Sequence, residues 1–111
     1  MPQHQQLSFL IDHAELLEQY AAKAMQEKKG LFEEAQGKLI ELQKYQEEYR
    51  SRLGQSDRNG LSAKAWRDFY LFLEKLEEAI QMQIQLVERY RISYDIAVGD
   101  WNHTRQKHQS Y

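Results

Sequence analysis

The chain has 111 residues, of which charged residues make up 29%, with a formal net charge of −2, Gly 5, Pro 1 and Cys 0. That length allows one domain at most, and a near-neutral chain offers no general attraction to a nucleic-acid backbone, so no nucleic-acid partner is expected. The missing cysteine fits a reducing compartment. No apolar run approaches the roughly 20 residues of a membrane span, and the opening MPQHQQLSFLIDH lacks the charged-then-apolar order of a secretion signal, so a soluble, cytoplasmic, rod-like chain is expected.

The first half carries an apolar ladder: Leu7, Leu10, Ala14, Leu17, Ala21, Ala24, Lys28, Leu31, Ala35, Lys38, Leu42, Tyr45 and Tyr49. Steps alternating between three and four residues keep one seam on one side of a helix. Lys28 and Lys38 are expected to lay their stems along this seam and lift their ammonium groups outward. Gly30 and Gly37 soften the helix, since each interior glycine costs about 1 kcal/mol relative to alanine; Gly99 does the same further on.

The only segment that reads as a break is Gly54-Gln55-Ser56-Asp57-Arg58-Asn59-Gly60. Gly54 suits the left-handed position after a helix end, and Asn59-Gly60 is a strong turn pair. Ser62 then offers an N-cap, with Leu61 before it and Trp66 four residues after it in the arrangement of a hydrophobic staple. A second ladder follows without a slip: Trp66, Phe69, Leu73, Leu76, Ile80, Gln83, Val87, Tyr90, Tyr94, Ala97 and Trp101.

The expected fold is all-α. Two long helices form an antiparallel coiled-coil hairpin over residues 1–111, with helix one at about 4–53, a turn at 54–61 and helix two at about 62–109. Fifty helical residues give a rod of about 75 Å. If facing positions sum to 115, Trp66 meets Tyr49, Leu73 meets Leu42, Ile80 meets Ala35, Val87 meets Lys28, Tyr94 meets Ala21 and Trp101 meets Ala14, so that large residues oppose small ones along the outer half.

Chemistry is sparse. Of the four histidines, His4, His13, His103 and His108, the last two are five residues apart and diverge around a helix instead of sharing a face, so no metal site is expected. The sequence offers no phosphate-cradling loop, nucleophile elbow or covalent catalytic pair. Carboxylates such as Glu74, Glu77 and Glu78 line a surface with no pocket to raise a pKa. No enzyme activity and no cofactor are expected.

A second apolar line, Phe72, Leu76, Ala79, Gln83 and Leu86, runs beside the seam of helix two and widens its apolar face. It can flank the seam and cover its edge, or serve as a partner-binding strip. Phe72 stands out because its position points it away from the facing helix. Tyr45 and Tyr49 are seam residues whose hydroxyls are free to meet a partner.

KLIELQKYQEEYRSRL, the turn, and LSAKAWRDFYLFLEKLEEAI together resemble the FliJ family of flagellar export proteins. The resemblance covers nearly the whole chain, including the MPQHQQL start, the Tyr45-x-x-x-Tyr49-Arg50 end of helix one and the Trp66 opening of helix two. It implies a cytoplasmic stalk, similar to the gamma subunit of rotary F-type ATPases, at the cytoplasmic face of the inner membrane. Its implied partners are the hexameric export ATPase FliI, the export gate protein FlhA and export chaperones, with membrane association only through protein contacts. The family's gate-contacting positions fall on Phe72, Leu76, Ala79 and Gln83, the last replacing a histidine. Related positions on helix one are Leu42, Tyr45 and Tyr49, with Lys38 replacing a glutamine. The thin end near Ala14, Ala21 and Ala24 is the part expected to enter the ATPase pore. Members usually extend further past the second helix. Rival readings are the stalk of a virulence-type injectisome, a generic coiled-coil adaptor and an export chaperone.

Overall fold

The computed structural model describes residues 2–58 and 60–111. It holds two helices, α1 (Pro2–Arg58) and α2 (Ala63–Gln109), and no strand among the described residues. The expected all-α helical hairpin is the fold found.

The break is shorter than the sequence suggests. Helix α1 runs on through Gly54 to Arg58, so the expected end near residue 53 is corrected. Among the described residues only Gly60 has a positive φ, at 70°, the left-handed conformation that glycine adopts without a Cβ penalty. Gly54 therefore sits in ordinary helix, and Leu53, half-buried one residue earlier, gives the last turns a reason to continue. Asn59, the other half of the expected turn pair, lies outside the described residues. The start of α2 matches expectation. The Ala65 amide donates to Ser62 Oγ at 3.2 Å, which satisfies a donor left open by the first turn, and the Trp66 amide donates to the Ser62 carbonyl at 3.0 Å as the first bond of the helix. At the other end, Lys107 occupies the last turn of α2, where its positive charge complements the helix dipole.

Every rung of the α2 ladder from Trp66 to Trp101 is buried or half-buried, deepest at Leu76, Ile80 and Gln83, and the seam continues to Thr104 and His108. Helix α1 follows its ladder only at alternate rungs. Ala14, Ala21, Lys28, Ala35, Leu42 and Tyr49 face inward, whereas Leu10, Leu17, Ala24, Leu31, Lys38 and Tyr45 are exposed. Their places are taken by the next residue in each case: Ile11, Glu18, Met25, Phe32, Leu39 and Gln46. The helix is thus turned about its axis, which exposes Lys38 and brings larger apolar groups into the seam at Phe32 and Leu39.

The packing falls into two compact units, one of Met1–Glu33 with Arg89–Tyr111 and one of Glu34–Glu88. In the second, Ala35, Leu76 and Ile80 are buried together with two polar side chains, Gln46 and Gln83. Tyr49 packs on Phe69 and Phe72, with ring centroids 5.0 and 4.5 Å apart, instead of meeting Trp66. Ala35 faces Gln83 instead of Ile80. Both contacts lie about one turn beyond the expected register, because the short loop after Arg58 moves the apex of the hairpin along the chain. In the first unit Ala14 is buried, and Tyr94 stacks on Phe32 at 6.1 Å instead of meeting Ala21. His108 Nδ1 contacts the Glu18 carboxylate, and the Arg105 guanidinium lies 4.5 Å from the Trp101 ring centre. No large side chain among the described residues is fully buried, as expected where only two helices supply the walls.

Candidate partner-binding surface

All seven residues singled out for partner binding lie in the Glu34–Glu88 unit. Helical spacing puts Phe72, Leu76, Ala79 and Gln83 near one line of α2, and the antiparallel partner segment brings Leu42, Tyr45 and Tyr49 across from it. Their exposure divides them. Phe72 and Tyr45 are 37% and 43% exposed, whereas Leu76 and Gln83 are 7% and 8% exposed. Ala79, Leu42 and Tyr49 are half-buried.

Phe72 does not stand away from the facing helix. Its ring lies 4.5 Å from that of Tyr49 and meets Tyr45 edge-on at 6.1 Å. Tyr45 and Tyr49 approach each other at 6.3 Å. The shift in register causes this, since it carries Tyr49 past Trp66 to the level of Phe69 and Phe72. These tilted and edge-to-face geometries are worth about 0.5–1.5 kcal/mol per pair beyond simple burial. The outcome is an aromatic ridge spanning both helices, anchored on its inner side and open on its outer side.

Leu76 and Gln83 are seam residues. Gln83 Nε2 donates to the Ala35 carbonyl at 3.0 Å, so the amide is spent within the hairpin instead of being held out to a partner. Gln46, which the apolar ladder missed, donates through Nε2 to a Glu77 carboxylate oxygen at 2.6 Å, and Gln81 donates to the other oxygen at 3.1 Å. These hydrogen bonds, Gln46 first and Gln81 second, hold the Glu77 carboxyl below its ordinary value, with a smaller contribution from the Arg50 charge. The clue to Gln46 is its place four residues after Leu42 and three before Tyr49, which fits the alternative phase of the same repeat.

Elsewhere, His13 stacks on Phe9 at 6.1 Å and His108 faces Glu18. Among the described residues no group of three or more His, Cys, Asp or Glu could hold a metal ion.

The model of the family described as Flagellar FliJ protein matches residues 3–111. The chain belongs to the FliJ family. Its FliJ relatives include the Flagellar FliJ proteins of Salmonella typhi, 31% identical over 111 residues, and of Escherichia coli (strain K12), 30% identical over the same length. Both alignments cover 100% of this chain and 76% of the relative. No solved structure gives a significant match. FliJ membership makes the chain a component of flagellar protein export, and its FliJ relatives are named as flagellar proteins, not as enzymes.

Proposed function

We propose that the chain is the central stalk of the hexameric flagellar export ATPase FliI and links that ring to the export gate protein FlhA. The observation that carries the reading is where the apolar surface is used. The seam of each unit is filled by the chain itself, while the ridge of Phe72, Tyr45 and Tyr49 keeps an open outer side. A protein that has already satisfied its own seam is suited to hold its shape while other proteins bind along its surface.

On this reading the ridge meets the gate, with Leu42 and Ala79 at its edges and Leu76 and Gln83 acting from beneath by fixing the two helices. The unit containing the chain termini enters the ring. Its exposed Leu10, Leu17 and Tyr20 supply apolar contact surface there, alongside the small Ala21 and Ala24. Escort of export chaperones is a further role of the same surface, and attachment to the cytoplasmic face of the inner membrane follows from the gate.

ATP hydrolysis by the partner ring, measured with and without the chain, tests the stalk role; an unstimulated ring rules it out. Phe72→Ala is expected to lower affinity for the gate while far-UV circular dichroism stays near the parent value. Unchanged affinity removes the ridge from the gate contact.

A further inference from the structure

In the unit of Met1–Glu33 with Arg89–Tyr111, α1 carries two rows of side chains, one on each side of the small rungs Ala14 and Ala21. Ile11, Glu18, Met25 and Phe32 are half-buried, while Leu10, Leu17, Ala24 and Leu31 are exposed. Each row holds three large apolar side chains, so the apolar area that each can bury is similar. Two contacts favour the inner row. The Glu18 carboxylate meets His108 Nδ1, which offsets the burial of a charged residue, and the Phe32 ring stacks on Tyr94.

The outer row has room to close on α2. Leu10, Ala14 and Leu17 already line a cavity of about 230 Å³ with Thr104 and Lys107 of α2 and with Tyr111. Bringing that row inward takes a roll of α1 by about 50°, half the angle between successive residues at 3.5 residues per turn. Ala14 and Ala21 stay in the seam as small pivots, and Glu18 returns to water, where it needs no partner. In the Glu34–Glu88 unit the same roll would exchange Leu39 and Gln46 for Lys38 and Tyr45. It would also break the Gln46–Glu77 bond and free Tyr49 from Phe69 and Phe72. Burying Lys38 without a partner is costly, so that unit keeps one phase.

We propose that the Met1–Glu33 part of α1 is a two-position switch, which rolls on α2 between the Ile11–Glu18–Met25–Phe32 seam and the Leu10–Leu17–Ala24–Leu31 seam. The occupant of the exposed leucine row is thus α2 of the same chain. A partner that covers Leu10, Leu17 and Leu31 holds the first position. A partner that covers Ile11, Met25 and Phe32 draws out the second, because each ligand favours the state that offers its surface. The switch is independent of the stalk reading, and its test needs neither the ring nor the gate.

The chain has no cysteine, so single thiols report the two positions without background. Ala24→Cys lies in the outer row and Met25→Cys in the inner one, and exposure sets how fast each thiol reacts with an aromatic disulfide. In the otherwise unchanged chain the Ala24→Cys thiol should react faster. His108→Ala removes the partner of Glu18, and Phe32→Ala removes the stack on Tyr94 while leaving Glu18 and His108 in place. Each is expected to reverse the order of the two rates while far-UV circular dichroism keeps its helical signal. Adding Glu18→Leu to His108→Ala should restore the parent order, because the inner row is then apolar throughout. An order unchanged by both variants means a seam with one position, and equally fast thiols in both mean a unit that opens instead of rolling. Either result overturns the proposal.

Discussion

Two glycines a few residues apart carry opposite conformational demands. Gly60 has φ at 70°, where an L side chain is penalised by about 1–2 kcal/mol, so Gly60→Ala is expected to destabilise the chain by about that much. Gly54 lies inside α1, and a Cβ added there would meet nothing within 4 Å. Gly54→Ala removes backbone freedom from the unfolded chain at no steric cost and should stabilise by about 1 kcal/mol. Urea denaturation followed by circular dichroism reads both changes, and opposite signs to these would move the helix end back to residue 54. Glu77 offers a test of a different kind. Its carboxyl is held below the ordinary value of 4.5 by the bonds from Gln46 and Gln81, so the folded state favours the ionised form. The resulting stabilisation is complete above 4.5, declines as pH falls through that value, and is gone below the lowered one. Glu77→Gln should abolish this part of the acid loss. A variant that loses stability with falling pH as steeply as the parent would show that the Gln46 contact is not populated.

At the scale of a helix, the question is which side turns inward. From each shared rung of α1 the repeat can step three residues or four, and both choices land on plausible residues. Leu17, Leu31 and Tyr45 argue for one phase, and Met25, Phe32 and Leu39 for the other. The structure takes the second. The difficulty lies in Glu18 and Gln46, which a reading by hydrophobicity rejects from a seam. Both are compensated across the hairpin, Glu18 by His108 and Gln46 by Glu77, and a buried polar group costs little once paired. Such partners are invisible until the register is known, and the register follows from a loop that begins more than a turn beyond Gly54. By contrast α2 is readable throughout, because both steps of its repeat land on apolar residues or on Gln83. The phase predicts that Leu39→Ala costs about 1–2 kcal/mol, less than a fully buried leucine because Leu39 keeps some exposure, while Lys38→Ala stays within about 0.5 kcal/mol. The ridge predicts a favourable coupling of about 0.5–1.5 kcal/mol between Tyr49 and Phe72 in a double-mutant cycle with leucine replacements. A vanishing coupling would restore the register in which Tyr49 faces Trp66.

Over the molecule as a whole, burial is unevenly shared, and stability must follow it. Among the described residues the four buried apolar side chains are Ala14, Ala35, Leu76 and Ile80, and the two buried polar ones are Gln46 and Gln83; five of these six lie from Ala35 to Gln83. Residues 3–10 are all exposed, including Leu7, Phe9 and Leu10, so the first turns of α1 have little packing beyond helix propensity to hold them. Propensity alone leaves a short helical segment marginal in water, since nucleation is costly and most helical stability comes from packing. Amide hydrogen exchange should therefore be fastest in the opening turns of α1 and slowest around Leu76, Ile80 and Gln83, where opening a backbone bond also means breaking the seam and the Gln83–Ala35 bond. A partner that covers Leu7 and Leu10 should raise protection in those opening turns first and leave the Leu76–Gln83 region unchanged. Uniform protection from residue 3 onward in the isolated chain would mean that α1 is held there by contacts other than those of the seam.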